Sequence, residues 1–509
     1  MGKFGALSAG GRWTRLPAVL RPELSIPRLV SSLIILLVLA WVRPQPGSLP
    51  PEASAAAAGA SDAAPLPGGE FEALAAVVGR AGAWQQTYGA ATEFPAPTSI
   101  PAPADSDLLT QTTYLPLVAR VESASMVERR AIWITRYDWT NLNAAPSPET
   151  IDALVNQVAG AGFNTIFFQV RAAGDAYYAS ELEPWAARLS AGPISETLGH
   201  DPGWDPLARM VEVGQAAGLE VHAYVNVYPA WLPPPEGHGD LWPPATTPPQ
   251  MFDRFTYGPT YAAHPGEYAM GYEWRQHLYG VLQPTPMPLT RNRYLWASPG
   301  VDQVNAYISS VVRDIVTRYP VDGVHLDLVR YAGVGYSYDP SSDAAAGERP
   351  SDARAQWQRD QITALVQRIT QETKSLRPQA LVSAAVWPTY IDRWGWGVNE
   401  GYSDYYQDSK GWLASGSVDA IAPMLYGSYA DDAERWEILL LDFMMEQAGQ
   451  VLPGIGSHYS DFTDIAWRID RARQAGASGH AIFSYRGLNA SGHWDALRLG
   501  PYRIPARLP

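Results

Sequence analysis

The rhythm of hydrophobic and polar positions changes twice along this chain. Residues 29–42, LVSSLIILLVLAWV, are almost wholly apolar and lie between Arg28 and Arg43. From residue 44 to about 115, apolar residues are scattered among Pro, Ala, Gly, Ser and Thr, as in PQPGSLPPEASAAAAGASDAAPLPGG. Such a stretch cannot bury enough surface to fold alone and reads as a disordered linker, with a short helix near residues 71–86. From Arg130 onward, short β-branched and aromatic runs alternate with helix-period segments, the pattern of repeated βα units over a parallel sheet.

Eight such runs are present: AIWITRY (131–137), NTIFFQV (164–170), LEVHAYVNVY (219–228), DGVHLDLV (322–329), ALVSAAVW (380–387), VDAIAPMLY (418–426), QVLPGIGSH (450–458) and GHAIFSY (479–485). Helix starts fall between them at Ser147-Pro148-Glu149, Asp205-Pro206 and Ser298-Pro299, where a capping residue precedes a proline that needs no N–H partner. Eight βα units between residues 129 and 500 predict an α/β fold, a (β/α)8 TIM barrel, ahead of a doubly wound open sheet. The connection 229–299 between the third and fourth strands is far longer than a plain loop and is rich in Trp and Tyr, including Trp231, Trp242, Tyr294 and Trp296. This composition predicts an ordered lid or binding platform rather than a passive linker.

Charge and composition narrow the chemistry. A formal net charge of −14 gives no general attraction for phosphate backbones, so no nucleic-acid partner is expected. The absence of cysteine excludes disulfides, thiolate catalysis and Cys-based zinc sites. At the N-terminus, Lys3, Arg12, Arg15 and Arg21 precede the apolar run. Fourteen residues fall short of the roughly 20 of a spanning helix but suit an export signal. Residues 1–43 therefore read as a signal peptide or signal anchor. The expected location is extracellular or at the cell surface, with residues 29–42 the membrane tether if they are retained.

In a barrel, reactive groups come from the C-terminal ends of the strands. In Asp322-Gly-Val-His325-Leu-Asp327-Leu-Val-Arg330, His325 and Asp327 are two apart and share a face. Asp327 could act as nucleophile, base or stabiliser of an oxocarbenium-like state, with Arg330 beside it. Arg171 and Asp175 at the end of the second strand and Asn226 at the end of the third are candidates for contacting substrate. Trp387, Tyr426 and Tyr485 end later strands, and aromatic faces with scattered carboxylates suit sugar rings. No Glu ends any strand, so a general acid is sought among Asp392, Glu400, Asp404, Asp408, Asp175 and Glu183, with Asp408 and Asp404 favoured. There is no Walker loop, no GxGxxG after the first strand, no HExxH and no GxSxG. No cofactor is expected, and no metal, because no histidine pair has local ligand spacing.

These residues resemble the glycosyl-hydrolase-like family 10 barrels, through RAIWITRYDW near 130, GFNTIFFQVRAAGDAYY near 162, EPWA (183–186), GWDPLARMVEVGQAAGLEVHAYVNVY (203–228), SPGVDQVNAYI, VDGVHLDLVRY and VDAIAPMLY. The resemblance covers roughly residues 129–490. It implies a (β/α)8 barrel, export and hydrolysis of a glycan, peptidoglycan glycan strands being the substrate of some members. Asp327 matches the family's fourth-strand acidic position, and Arg171, Asp175 and Asn226 match polar positions of its second- and third-strand motifs. Relatives often carry a second acidic residue directly after the fourth-strand Asp, where this chain has Leu328. The expected function is thus an exported glycoside hydrolase acting on a polysaccharide; the alternative is a non-catalytic carbohydrate-binding barrel, and a metal-dependent hydrolase is a weaker third reading.

Overall fold

The structure is a computed structural model, and it describes residues 126–231, 243–252, 274–275, 285–286, 294–334, 336, 340–445 and 449–509. The segment 1–43 read as an export signal, the segment 44–115 read as a linker and most of the 229–299 insertion lie outside the described residues.

All eight sequence runs contain barrel strands. They are β1 (Arg129–Ile134), β2 (Thr165–Arg171), β3 (Glu220–Asn226), β4 (Gly323–Asp327), β5 (Leu381–Val386), β6 (Ala420–Pro423), β7 in two pieces (Gln450–Val451 and Gly454–Gly456) and β8 (Gly479–Phe483). Every neighbouring pair is parallel. The first piece of β7 pairs with β6 and the second with β8. Leu452 N–H still donates to the Ile421 carbonyl, whereas the Pro453 carbonyl accepts from Ala481. Pro453 has no N–H to give a ladder, so the strand changes partner there, and in doing so closes the ring without a free edge.

Helices follow the strands: α1 (Pro148–Ala161), α2 (Pro206–Ala216), α3 (Asp302–Arg318), α4 (Ser351–Leu376), α5 (Ser409–Ala414), α6 (Ala433–Met444), α7 (Phe462–Gln474) and α8 (Trp494–Leu499). The three prolines read as helix starts behave differently. Pro148 and Pro206 occupy the first helical position, while α3 begins at Asp302, three residues past Pro299. Apolar faces of these helices pack on the outward residues of the strands in one large core, including Ile132, Ile134, Ile166, Phe168, Val221 and Val225.

A second, smaller core fills the barrel lumen, with Ala131, Trp133, Phe167, Tyr224, Ala420, Ala422, Leu452 and Ala481 buried and Tyr426 and Phe483 packed at its upper edge. Alanines share this space with Trp133, Phe167 and Tyr224, a mixture of sizes that fills a narrow lumen. Gly323 shows how tight the fit is: a Cβ there would come within 2.6 Å of His222 Nδ1 and 2.5 Å of the Leu381 carbonyl oxygen.

The N-terminal end of the barrel is held by a charged clasp. Glu128 Oε1 accepts from Arg130 Nε (2.5 Å) and Arg473 Nη2 (2.6 Å), and buried His480 bonds through Nε2 to Tyr502 Oη (2.6 Å). Burial dominates at His480 and pushes its pKa down to about 3. Burial works against ionised Glu128, but the bonds from Arg473 and Arg130 prevail and hold it at about 2. Unfolded chains bind a proton at such a His below about 6.5 and at such a Glu below about 4.5. The unfolded state thus holds more protons as pH falls, and stability declines from pH 6.5 downward at up to about 1.4 kcal/mol per pH unit for each group. Urea titrations between pH 7 and 4.5 should show this slope and its reduction in His480→Gln; an unchanged slope in that variant would remove His480 from the account.

Candidate active site

Asp327 ends β4 with its side chain directed into the upper lumen, one inward step above His325. Tyr224, on the neighbouring strand β3, donates its hydroxyl to Asp327 Oδ2 at 2.6 Å. Leu328 N–H donates to Oδ1 at 2.6 Å. Leu328 adopts φ 51°, a left-handed conformation rare for a branched side chain. The turn lets the chain's own amide cap the carboxylate that precedes it. Burial raises the pKa of Asp327 above the usual carboxylate value, opposed by the Tyr224 and Leu328 hydrogen bonds and by the charge of Arg330. The result is a carboxyl group able to hold a proton closer to neutrality than an exposed Asp.

Arg330 lies over Tyr405 (4.5 Å), Trp296 (4.9 Å) and Trp387 (5.3 Å) and donates to the Tyr331 carbonyl (3.0 Å). Trp387 is fixed by its indole N–H to the Asn399 carbonyl (2.7 Å). Tyr426 stacks on Phe483 at 4.8 Å and meets Trp133 edge-on at 6.0 Å. The charge of Asp327 also raises the pKa of Tyr426, after the larger effect of burial. Asp327, Arg330, Tyr224, Trp387 and Tyr426 therefore form one partly apolar site at the C-terminal mouth. Tyr485 packs against Trp494 (5.1 Å).

Several residues expected to contact substrate have other work. His325 is sealed in the lumen, stacked on Phe167 at 3.9 Å, accepting from Trp133 Nε1 (2.8 Å) and bonded to Ser383 Oγ (2.9 Å). Burial holds its pKa well below that of free histidine, so it is a neutral prop one layer beneath Asp327. Arg171 is also fully buried: Glu183 takes its Nε and Nη2 (2.8–3.0 Å), and its Nη1 reaches the backbone carbonyls of Asn226, Val227 and Pro229. Arg171 and His325, expected from the sequence to touch substrate, are both fully buried and bonded within the protein. Asp175 Oδ1 accepts from Ala173 N–H (2.8 Å) and closes a turn. Asn226 pairs in register with Asp327 and gives its Nδ2 to the Ala172 carbonyl (3.0 Å), while its buried Oδ1 has no partner among the described residues.

The acids of the loop after β5 are likewise engaged locally. Asp408 caps α5 through Gly411 N–H (3.1 Å) and accepts from Tyr390 Oη (2.8 Å). Asp404 accepts from Glu400 N–H (2.7 Å). Asp392 collects the N–H groups of Trp394, Trp396, Gly397 and Val398, and these bonds lower its pKa despite burial. Glu400 accepts from Asp392 N–H and from Ser403 Oγ. Asp408 and Asp404, the acids favoured from the sequence, thus each hold a backbone N–H within this loop, and the charge that bears on Asp327 is that of Arg330.

Sequence reasoning passed over Arg136. This residue follows β1, is 4 % exposed, and pairs with no carboxylate among the described residues. Its backbone N–H and Nη1 both meet Gln169 Oε1 (2.9 and 3.3 Å), and Nη2 meets Tyr137 Oη (2.6 Å) and Tyr294 Oη (2.8 Å). Its neighbour Asp138 has a pKa raised by burial, although Thr135 and Arg486 N–H groups bond it.

Comparison with known proteins agrees with this architecture. The family description "Glycosyl hydrolase-like 10" matches residues 128–229 and 288–453. The glycosyl hydrolase YngK of Bacillus subtilis is 26% identical over 427 residues, covering 78% of this chain and 75% of its own. The glycosyl hydrolase DigH of Escherichia coli K12 is 26% identical over 341 residues, 61% of this chain and 68% of its own. The glycoside hydrolase domain of PgaB (BpsB) from Bordetella bronchiseptica superposes with a TM-score of 0.50 at 14% identity, over 73% of this chain and 98% of that one, a likeness of fold. With more than half of its length matched by the family and a (β/α)8 barrel beneath the match, the chain belongs to the glycosyl hydrolase-like 10 family and is a glycoside hydrolase.

Proposed function

We propose that this protein is an exported enzyme that hydrolyses the glycosidic bonds of a polysaccharide, peptidoglycan glycan strands being one candidate, with Asp327 as its acid/base carboxyl group. The observation that carries the reading is the Asp327 carboxyl group at the strand-end mouth, its pKa raised by burial, set among Tyr224, Tyr426, Trp387 and Arg330. Protonated Asp327 gives its proton to the leaving oxygen as the bond to the anomeric carbon breaks. The carboxylate so formed stabilises the oxocarbenium-like cation, and takes a proton back as water adds to that carbon. Export rests on the apolar run 29–42 with its basic flank.

The test is product release from a polysaccharide panel, including peptidoglycan stripped of peptides. Release of reducing ends supports the reading; binding without products would favour the carbohydrate-binding alternative. Tyr224→Phe probes the assigned group more finely. Removing a hydrogen bond to the charged form, worth about 1.5–3 kcal/mol, raises the Asp327 pKa, so the limb of the pH–rate profile owed to Asp327 should move up by about one unit or more. A limb that stays in place would assign the titration elsewhere.

A further inference from the structure

Arg136 is the feature of the mouth that the hydrolysis step does not use. A buried guanidinium is costly unless a counter-charge accompanies it, and here its partners are neutral: the Gln169 amide oxygen and the hydroxyls of Tyr137 and Tyr294. Fully buried Arg171 and Arg130 are built differently, Arg171 facing Glu183 and Arg130 facing Glu128. Arg136 Nε donates to no described residue, so the Nε–Nη2 edge carries only the two phenol contacts. Gln169, which accepts from Arg136, is the register partner of Tyr224, which bonds Asp327, and Tyr294 feels the charges of both Arg136 and Asp327, so the two groups share one mouth. Tyr137 is 39% exposed and leads from solvent to the same guanidinium.

We propose that Arg136 is the anion-recognition residue of the substrate site, taking a carboxylate carried by the sugar that sits over Asp327, so that the preferred substrate is an acidic glycan. This rests on the hydrolase reading above and deepens it. A planar guanidinium edge matches a carboxylate in bidentate fashion. A single positive charge is balanced by a monoanion, whereas a phosphate dianion would leave an excess negative charge in a buried site. The hydroxyls of Tyr137 and Tyr294, which now accept from Nη2, can turn to donate to the incoming carboxylate.

The experiment compares each carboxylated polysaccharide that the full-length protein cleaves with the same polymer after its carboxyl groups have been reduced to hydroxymethyl groups. The expected result is a preference in kcat/KM of about 30-fold or more for the acidic form, the scale of a buried charge pair that loses one partner, and collapse of that ratio in Arg136→Gln. Equal rates on the two polymers with the parent enzyme would overturn the proposal, as would a ratio unchanged by the substitution. Glucuronate and glucose, titrated against the parent and the folded variant by calorimetry, give a readout independent of turnover. Glucuronate binding that is tighter than glucose binding and is lost in Arg136→Gln sustains the anion site even if no polymer is cleaved, in which case the hydrolase reading alone fails; indifference to the carboxylate overturns the anion site even if cleavage is observed.

Discussion

Asp327→Asn should lower kcat on any cleaved polysaccharide by about a thousandfold or more, the loss expected when a positioned acid/base group can no longer exchange a proton. The amide has nearly the same shape. Its oxygen can still accept from Leu328 N–H, and the Tyr224 hydroxyl can reverse to accept from the amide nitrogen. Fold and sugar binding are therefore expected to persist, as circular dichroism and oligosaccharide affinity would show. Asp408→Asn is the useful contrast. Asp408 caps α5 and braces Tyr390, so its loss should cost about 1 kcal/mol of stability or less, with turnover kept within about threefold. If Asp408→Asn abolished cleavage while Asp327→Asn did not, the catalytic assignment would move to the β5 loop.

The contrast shows what the sequence made legible. The barrel was readable because each strand buries both faces, so eight β-branched or aromatic runs stand out between helix-period segments. The divided β7 was not, because a strand that changes partner at Pro453 has the same apolar text as one that does not. Asp327 was readable as a charge on the inward face of a buried run. Two-residue periodicity gives the face of a side chain but not its depth, and His325, on the same face, lies a layer lower, fully buried against Phe167. At Arg171 the two-residue rule is interrupted: pairing of β2 with β3 shifts register between Gln169 and Arg171, so the irregularity separates two residues that simple alternation places together. For Asp408 a local signal existed, an Asp three residues before Gly411 at the start of a helical run. For Arg136 there was none, since Gln169 and Tyr294, which frame it, are 33 and 158 residues away.

The largest stability effect is expected at Glu183. Both Glu183 and Arg171 have side chains with no exposure, and Glu183 Oε1 also accepts from Tyr307 Oη at 3.3 Å. Glu183→Gln leaves the Arg171 cation buried without a counter-charge, a change that costs about 3–5 kcal/mol. Arg171→Met strands the Glu183 carboxylate and should cost a similar amount. The double substitution Arg171→Met with Glu183→Leu removes both charges and should be less destabilised than either single variant, because the desolvation penalty disappears with the pair. Denaturant melts of the four proteins measure this directly, and a double variant whose loss equals the sum of the singles would show that the residues act independently. The effect should also reach the site. Arg171 grips the carbonyls of Asn226 and Val227, and Val227 N–H in turn donates to the Asp327 carbonyl at 2.8 Å. Loosening the pair frees the end of β3 that holds Tyr224 and Asp327 together, so the double variant, though folded, should turn over more slowly than the parent.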